Sequence, residues 1–299
     1  MDTNSTPKLS IVFLNYNRAA ETQYTIEWLE KLLQHRQDVE VIAVDNGSSD
    51  GTKDVLQRYT WVHSISLDEN TGIAGYNVGF EQAKGDYILV LDDDSHPVDN
   101  QTLDRLIQRL ENETDIGIIA CQIESPEEKP VCTWHLPEDN RSGLSVAFVG
   151  CGFAIRRQLF KQVGWYPEEF FLYQNEIEVA IRVAKLGYKI YYDPQCRVVH
   201  RHSPQGRSNW RRVYYPTRNT IWIIRRYFPY PAASYLIMSR LCMGLIRAIQ
   251  AKEFKWYYKA VNEAFSFPIQ RQVLSISLQK NFEPFYQQNS LWHQLIMRL

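Results

Sequence analysis

An apolar run closed by three acids decides the fold: Tyr-Ile-Leu-Val-Leu-Asp-Asp-Asp, residues 87–94. Such a continuous apolar run is typical of a strand that is covered on both faces of a sheet. Side chains two apart in an extended chain point the same way, so Asp92 and Asp94 are expected to share a face. Neighbouring carboxylates repel each other, and a hard divalent cation relieves that repulsion. A solvated turn, or a cap for a helix starting near Thr102, would explain the acids equally well.

Strands and helices alternate on both sides of this run. Apolar segments predict strands at 9–14, 39–44, 62–67 and 116–121, and helical spacing predicts helices at 21–34, 53–59, 73–83 and 103–110. The alternation indicates right-handed crossovers and a mostly parallel sheet flanked by helices, which is an α/β fold. Phe-Pro-Tyr-Pro (228–231) breaks the pattern. We therefore expect a catalytic domain over 1–228 and a helical region over 229–299.

The composition excludes several classes of protein. The chain has 299 residues, a net charge of -1 and 44% hydrophobic residues, as in a soluble protein with an ample core. Five cysteines without a C-x-x-C pair argue against a zinc site or disulfide framework and favour a reducing compartment. The polar start, Met1 to Lys8, leaves no room for a signal peptide, so we expect a cytoplasmic protein. The longest apolar stretch, Ala232 to Ile246, contains Arg240 and is shorter than the roughly 20 residues that a membrane span needs.

Polar residues follow four of the strands, where ligands bind in open parallel sheets. These groups are Asn15 to Arg18, Asp45 to Gly51, Asp92 to Asp94 and His200 to His202. A glycine-rich segment, Gly72 to Gly79, also opens a helix whose N–H groups would face phosphate or sugar oxygens. This segment does not match G-x-G-x-x-G, the pattern of dinucleotide-binding proteins. The sequence therefore gives little support for a nicotinamide-dependent dehydrogenase.

Five segments occur in a characteristic order: Leu-Ser-Ile-Val-Phe-Leu-Asn-Tyr-Asn-Arg (9–18), Val-Asp-Asn-Gly-Ser-Ser-Asp-Gly-Thr (44–52), 70–79 running on to 85–94, 170–182, and Tyr-Tyr-Pro-Thr-Arg-Asn-Thr (214–220). Together they resemble the inverting GT-A glycosyltransferases of family 2, especially the bacterial rhamnosyltransferase and galactofuranosyltransferase branch. The resemblance covers roughly residues 8–230. It implies a GT-A fold, a nucleotide-sugar donor and a DXD motif that binds Mg²⁺ or Mn²⁺.

The resemblance also implies roles for residues at the strand ends. Asp45 would contact the pyrimidine ring of the donor, while Asn17 and Asp50 would shape the nucleotide pocket. Asp94 would bind the cation, and Asp92 would contact the ribose or a metal-bound water or serve as a further ligand. His200 would be the second protein ligand, with His202 as the alternative histidine. Such a cation neutralises the diphosphate leaving group. The expected donor contacts are Asn15, Asn17, Arg18, Asp45, Asn46, Asp50, Gly72, Asn77, Asp92 and Asp93.

Inverting transfer needs a base that removes the proton of the acceptor hydroxyl. The family uses the acid of a Glu-Asp pair, whereas this chain has Asn175-Glu176 followed by Glu178. We expect Glu176 to be the base and Glu178 to be the alternative. Both acids would also suit the N-terminus of a helix for electrostatic reasons alone. A protein of the same fold that binds nucleotide sugar with weak or no transfer is therefore the alternative function.

An arginine-rich segment, Arg197 to Arg226, contains no carboxylate and suits an anionic ligand or membrane surface. Arg218 and Asn219 match an Arg-Asn pair of the family, and either the diphosphate or the acceptor is expected to contact Arg201, Arg207, Arg218, Asn219 and Trp134. The acceptor would be a glycan or a lipid-linked molecule. No nucleic-acid-binding motif occurs. By resemblance, the donor is dTDP-rhamnose or a UDP-hexose, used in making a bacterial surface or secreted glycan.

Aromatic residues are frequent in the C-terminal part of the chain. With interspersed Arg and Lys, they fit a surface on anionic lipid at the inner face of the cell membrane. Helix packing or an oligomer interface would explain the same residues equally well. They are Trp222, Tyr227, Phe228, Tyr230, Trp256, Tyr257 and Tyr258.

Overall fold

The chain divides into two compact units. The computed structural model describes residues 6–131, 136–137, 140–201, 208–288 and 290. The first unit comprises Met1–Phe171 and Asn175–Ser203, and the second comprises Leu172–Gln174 and Pro204–Leu299. All strands found in the described residues belong to the first unit.

A mixed sheet forms the centre of the first unit. Across the described residues its order is β3-β2-β1-β4-β8-β6-β9-β5, with β7 paired to β9. The strands are β1 (Leu9–Asn15), β2 (Val39–Asp45), β3 (His63–Ser66), β4 (Tyr87–Asp92), β5 (Ser95–Pro97), β6 (Ile116–Glu124), β7 (Gly143–Ser145), β8 (Gly152–Arg156) and β9 (Lys189–His200).

One half of the sheet is parallel, as predicted. Strand β1 pairs in parallel with β2 and β4, and β2 pairs in parallel with β3. The apolar residues of β1 and β4 are buried, because helices cover both faces of a parallel sheet. Three groups of polar residues therefore follow neighbouring strands at one edge of the sheet.

The other half of the sheet is mixed, since β6 and β9 pair in parallel while the remaining pairs are antiparallel. Strand β8 runs antiparallel to both β4 and β6, and β5 and β7 run antiparallel to β9. A parallel return needs a long crossover, usually a helix, whereas an antiparallel return needs only a loop. The described residues between β6 and β8 contain no helix. The start of β8 is thereby brought beside the end of β4, where Gly152 is opposite Leu91.

Six helices accompany these strands in the described part of the first unit. Asp99 caps the fourth, since its carboxylate accepts a 2.8 Å hydrogen bond from the Thr102 backbone N–H. The acids at 92–94 are therefore not the cap of this helix. The helices are α1 (Ala19–Leu33), α2 (Thr52–Arg58), α3 (Gly75–Gln82), α4 (Asn100–Asn112), α5 (Arg157–Gln162) and α6 (Asn175–Lys185), with 3₁₀ turns at Gly72–Ala74 and Glu168–Phe170.

The second unit is helical, as predicted for the C-terminal region. Its helices are α7 (Asn209–Tyr227), α8 (Ala232–Ala251), α9 (Phe254–Ser266) and α10 (Ile276–Gln288). Helix α7 packs against α8 and α9, and α8 packs against α9. Helix α8 is longer than the apolar stretch seen in the sequence. Its length and its mean hydropathy of 1.4 would suffice for a membrane span, as they also would in a core helix of a soluble protein.

Candidate active site

The three acids after β4 occupy different environments. The carboxylate of Asp92 is 44% exposed, whereas Asp93 and Asp94 are buried. Asp92 accepts a 2.9 Å hydrogen bond from the hydroxyl of Tyr76, which also donates to the carbonyl of Leu91. Asp92 is therefore the acid of the motif that an incoming ligand reaches.

His200, the last residue of β9, lies against two of these acids. Its Nε2 atom is 3.0 Å from Oδ1 of Asp94 and 4.0 Å from Oδ2 of Asp92. The antiparallel pairing of β5 with β9 puts Ser95 opposite His200, which brings the preceding Asp94 beside the imidazole. The carboxylates of Asp92 and Asp94 thus both approach His200, although Asp93 and Asp94 form a turn and not the extended chain on which the prediction was based.

Arg18, in the loop after β1, forms ion pairs with Asp93 and Asp94. Its NH1 atom is 3.1 Å from Asp93, and its NH2 atom is 2.7 Å from Asp94. Burial by itself would raise the pKa of Asp94, but His200 and Arg18 outweigh it and leave this pKa well below its usual range. Burial raises the pKa of Asp93 well above its usual range, although Arg18 opposes the shift. Asp94 is therefore a carboxylate throughout the physiological pH range.

Cys151 is a member of this cluster that the sequence analysis missed. Its Sγ atom is 3.5 Å from Nδ1 of His200, on the side of the ring away from Asp94. One ligand atom each from Asp92, Cys151 and His200 lie within 4.8 Å of one another. The feature of the sequence that could have drawn attention to Cys151 was Gly-Cys-Gly at 150–152. It became informative only once β8 was seen to run antiparallel beside β4.

Glu176 lies in the first turn of α6, with its carboxylate against the backbone of Gly150. A Cβ atom added to Gly150 would lie 2.6 Å from Oε1 of Glu176. Burial raises the pKa of Glu176 to about 7, and the charge of Asp92 raises it further against a backbone hydrogen bond that lowers it. At neutral pH, this glutamate is present in both protonation states.

Glu178, the alternative base, has a different environment. It is buried, and its Oε1 atom is 3.8 Å from Nε of Arg182. Arg182 also donates hydrogen bonds to the backbone carbonyls of Val163 and Trp165. Glu178 thus belongs to the packing of α6 against the chain that precedes it.

The predicted pocket residues Asn17, Asp45 and Asp50 organise the loops after β1 and β2. Asn17 accepts a 2.7 Å hydrogen bond from the backbone N–H of Ser49. Asp45 accepts one of 3.1 Å from the N–H of Ser48. The carboxylate of Asp50 accepts hydrogen bonds from the N–H groups of Thr52 and Ala19, so it joins the starts of α1 and α2.

Three predicted donor contacts use their side chains to bind the protein itself. Asn15 is buried and donates to the carbonyl of Val44. Asn46 accepts from the N–H of Thr71 and donates to the carbonyl of Gly72. Asn77 makes one hydrogen bond to the N–H and another to the carbonyl of Tyr166. Their direct contact with a donor remains a prediction, whereas their support of the surrounding loops is observed.

Gly72 occupies a position that excludes a side chain. Its φ angle is +66°, and an added Cβ atom would lie 2.2 Å from the carbonyl oxygen of Phe171. The next residue, Ile73, donates a 2.6 Å hydrogen bond to that same carbonyl. The glycine-rich segment is therefore held closely against the chain that leads to α6.

A protein-family model described as "Glycosyl transferase family 2" matches residues 10–178, which is more than half of the chain. The chain belongs to glycosyltransferase family 2. The matched residues of this family 2 member include the three acids after β4 and end at Glu178 in α6.

Individual relatives are distant. "Probable glycosyltransferase YdaM" of Bacillus subtilis is 22% identical over 74% of this chain and 57% of its own length. "dTDP-rhamnosyl transferase RfbF" of Shigella flexneri is 24% identical over 64% of this chain and 72% of its own length. The chain thus spans little more than half of YdaM.

A solved structure supports the GT-A fold. The mannosyltransferase PcManGT from Pyrobaculum calidifontis, in complex with GDP-Man and Mn²⁺, superposes with a TM-score of 0.60 at 20% identity. The match covers 89% of this chain and 78% of that structure. It confirms the predicted fold class.

The arginines predicted to contact a diphosphate are engaged within their own units. Arg201 donates to Glu21, Thr25 and the carbonyl of Asp93, and its guanidinium stacks on Tyr24. It therefore ties the residues beside His200 to α1.

Arg218 and Asn219 lie in α7 of the second unit. Arg218 donates to Tyr214 and Glu263 and is stacked on Trp222. Asn219 donates to the carbonyls of Leu172 and Tyr173. The remaining predicted site residues, Trp134, Arg207 and the alternative ligand His202, lie outside the described residues.

Proposed function

We propose that the chain is a cation-dependent, inverting glycosyltransferase that moves a sugar from a nucleoside-diphosphate sugar to a hydroxyl acceptor. The observation that carries the proposal is the convergence of Asp92 and Asp94 on His200 at the end of β4. Inverting transfer needs stabilisation of the leaving group and a base for the acceptor. The cluster supports the first requirement, and Glu176 supports the second.

The residues of the cluster fit a divalent cation. Two carboxylates and one imidazole are ligands that suit Mn²⁺, and the carboxylates also suit Mg²⁺. Asp94 is ionised, and Nε2 of His200 is directed at the acids. A cation held by Asp92, Asp94 and His200 would stabilise the negative charge that develops on the leaving diphosphate. The Mn²⁺ in the PcManGT complex supports this assignment.

Cys151 and Arg18 would orient the ligands. The thiol lies at Nδ1 of His200, and the other nitrogen of a ligating imidazole normally has such a partner. Arg18 pairs with Asp93 and with one oxygen of Asp94. It would hold the carboxylate of Asp94 in one rotamer.

Glu176 would accept the proton of the acceptor hydroxyl. A base works best when its pKa is near the working pH, and the pKa of Glu176 is about 7. The side chain of Glu178 is buried beside Arg182, which favours a supporting role in α6. We therefore assign the base to Glu176.

The donor would bind over the loops that follow β1 and β2. Asn17, Asp45 and Asp50 organise these loops, and Asp45 would contact the base of the nucleotide. We infer a dTDP- or UDP-linked sugar. The similarity to the Shigella dTDP-rhamnosyl transferase favours dTDP-rhamnose.

The acceptor would be a glycan or a lipid-linked molecule in the synthesis of a bacterial surface or secreted glycan. Similarity to the O-antigen biosynthesis protein RfbC of Myxococcus xanthus and the O-antigen chain rhamnosyltransferase WbaN of Salmonella anatum supports this class. We place the reaction in the cytoplasm.

Hydrolysis of candidate donors, measured with the acceptor absent, tests the proposal. Slow, Mn²⁺-dependent release of nucleoside diphosphate from one donor is the expected result, and chelation should abolish it. Binding of donor without any hydrolysis or transfer would instead support the alternative, a protein of this fold that binds nucleotide sugar without turnover.

A further inference from the structure

Most exposed side chains of α8 are apolar, and the polar exceptions, Ser234 and Gln250, lie near its two ends. Five apolar side chains on the exposed side of α8, between 39% and 61% exposed, follow helical spacing. Neither charged residue of this helix is among its exposed residues. We call this surface the outer face of α8; it consists of Tyr235, Met238, Leu245, Ile246 and Ile249.

The charged residues of α8 lie on its inward side. Arg240 and Arg247 are half-buried, and burial lowers the pKa of Arg240 to about 10. Leu236 and Met243 are buried on the same helix, which packs against α7 and α9. A helix at the surface of a water-soluble protein normally has the opposite arrangement, with charges outward. The outer face of α8 is therefore suited to an apolar environment.

The exposed charges around this face are all basic. Among described residues 229–288, those that are both charged and exposed are Lys252, Lys255, Lys259, Arg271 and Lys280. The acids of the same range, Glu253, Glu263 and Glu283, are half-buried. We call Lys252 and Lys255 the basic rim, whereas Lys259 lies 3.8 Å from the carboxylate of Glu263. Lys252 directly follows α8, and Lys255 lies in α9, which also has the exposed rings of Phe254 and Tyr258.

We propose that the outer face of α8 and the basic rim dock on the surface of an anionic lipid bilayer. Apolar side chains would enter the boundary between headgroups and acyl chains, while lysines would contact lipid phosphates. Aromatic rings next to lysines are typical of this boundary. The charge favours anionic lipid over a second copy of the chain, since the rim would then face an identical basic rim.

A surface position also fits better than a membrane span. A spanning helix is surrounded by lipid or by other apolar segments, and two arginines at its inward side would be costly there. About a third of α8 is buried against the protein. One side of α8 thus packs against the other helices of the second unit, and only the opposite side can contact lipid.

The residues that support membrane docking are mostly not the aromatic residues that the sequence suggested for this role. Trp222, Tyr227 and Phe228 are buried and belong to the packing of the second unit. Trp256 is stacked on Trp210 with ring centroids 4.2 Å apart. Of the aromatic residues expected at a membrane, Tyr230 and Tyr258 are the most exposed. The prediction of a membrane surface therefore depends on aliphatic residues of α8, and it stands independently of the proposed transfer reaction.

Flotation of the full chain with two kinds of vesicles tests the proposal. We expect it to bind vesicles of phosphatidylcholine mixed with phosphatidylglycerol and to bind phosphatidylcholine alone much more weakly. Alkaline carbonate should release the bound protein. Equal binding to both vesicles would overturn the role of the basic rim, and resistance to carbonate would indicate a span instead.

Two variants separate the apolar and basic contributions. The double variant Met238→Asp/Ile249→Asp should lose vesicle binding, with an unchanged melting temperature because both side chains are exposed. Lys252→Asn/Lys255→Gln should weaken binding to anionic vesicles about 25-fold, at about fivefold for each lysine. Asparagine is chosen at 252 because that residue has a φ angle of +58°.

Leu144→Asp is the matched control, since Leu144 is 67% exposed but lies in β7 of the first unit. It should bind vesicles like the wild type. If Met238→Asp/Ile249→Asp retains vesicle binding, the proposal is wrong. If that variant converts a dimer into a monomer in solution, the outer face of α8 is a subunit interface. Nucleotide binding, measured in parallel without vesicles, reports separately on the proposed active site.

Discussion

Nε2 of His200 lies 3.0 Å from Oδ1 of Asp94, and this contact is created by the antiparallel pairing of two strands. Asp94 precedes β5, His200 ends β9, and Ser95 is the residue opposite His200 in the sheet. The relative position of Asp94 and His200 is therefore fixed by backbone hydrogen bonds and not by the side chains alone. Sites built on a sheet in this way hold their ligands in one arrangement.

Asp94→Asn should abolish cation-dependent nucleotide binding. In the wild type, a pyrimidine diphosphate with Mn²⁺ should stabilise the folded state by about 2.7 kcal/mol at a concentration of 100 times Kd. A thermal-shift panel of UDP, dTDP, GDP, CDP and ADP, each with and without Mn²⁺, measures this. Asp54→Asn, which changes an exposed acid of α2, is the control and should respond like the wild type. A full Mn²⁺-dependent shift in Asp94→Asn would refute the ligand assignment.

Glu176→Gln should lower turnover by about 100-fold, the effect typical of a lost general base, while donor affinity stays unchanged. The base acts when it is deprotonated. In the wild type, kcat/KM should therefore rise with pH and level off above about 7. The variant should lack this rise. Steady-state rates across the pH range, with donor affinity measured in parallel, provide the check.

Glu178→Gln serves as the matched comparison because it makes the same chemical change two residues away. We expect it to lower thermal stability, since it weakens the interaction with Arg182, and to keep the pH profile of the wild type. If instead Glu178→Gln removes the rise near pH 7 and Glu176→Gln keeps it, the base is Glu178.

The raised pKa of Glu176 also implies that the stability of the protein depends on pH. Burial raises the pKa of Glu176 from 4.5 to about 7, so the folded state disfavours the ionised carboxylate. Below the unfolded pKa the group is protonated in both states and imposes no penalty. As pH rises towards 7, the penalty grows to about 3 kcal/mol and then stays constant. Glu176→Gln should therefore be more stable than the wild type at pH 8 and similar to it at pH 4.5, as measured by urea denaturation. If Glu176→Gln and the wild type are equally stable at both pH values, the pKa of Glu176 is not raised in the folded state.

The parallel half of the fold could be predicted because its signal is local. The strand predicted at 9–14 is observed as Leu9–Asn15, and the run ending in Asp92 is observed as Tyr87–Asp92. Continuous apolar runs between turn residues are sufficient for this inference. The approach of Asp92 and Asp94 to His200 did not follow from this local signal, because residues 93 and 94 form a turn and not an extended chain.

The antiparallel pairings could not be predicted, because strand direction depends on pairing between distant segments. Cys151 was missed for this reason: its position beside His200 follows from β8 returning against β4. The burial of Trp222 also could not be predicted, since an aromatic residue is equally common in a core and at a membrane surface. Both features depend on tertiary contacts that composition and spacing do not encode.

Cys151→Ala should weaken Mn²⁺ binding, because the Sγ atom lies 3.5 Å from Nδ1 of His200. Removing the partner of a ligating histidine typically reduces metal affinity 10- to 100-fold, and a thiol is a weak partner, so we expect about tenfold. Cys151→Ser replaces the thiol with a hydroxyl that can also hydrogen-bond to Nδ1, and it should retain most of the affinity. Titration of Mn²⁺ in the presence of a saturating nucleotide compares the two. Equal affinities for the alanine and serine variants would show that Cys151 does not orient His200.

Gly72→Ala should destabilise the protein and impair nucleotide binding, because a Cβ atom would lie 2.2 Å from the carbonyl oxygen of Phe171. The φ angle of +66° adds strain for any residue with a side chain. Relief requires movement of backbone, since the obstructing atom is a carbonyl, and we expect a loss of about 2 kcal/mol or more. Gly143→Ala is the matched control: nothing lies within 4 Å of its added Cβ atom, and its stability should change by less than about 0.5 kcal/mol. Urea denaturation of both variants tests the expected order. If Gly72→Ala is as stable as Gly143→Ala, the glycine-rich segment is not held against Phe171.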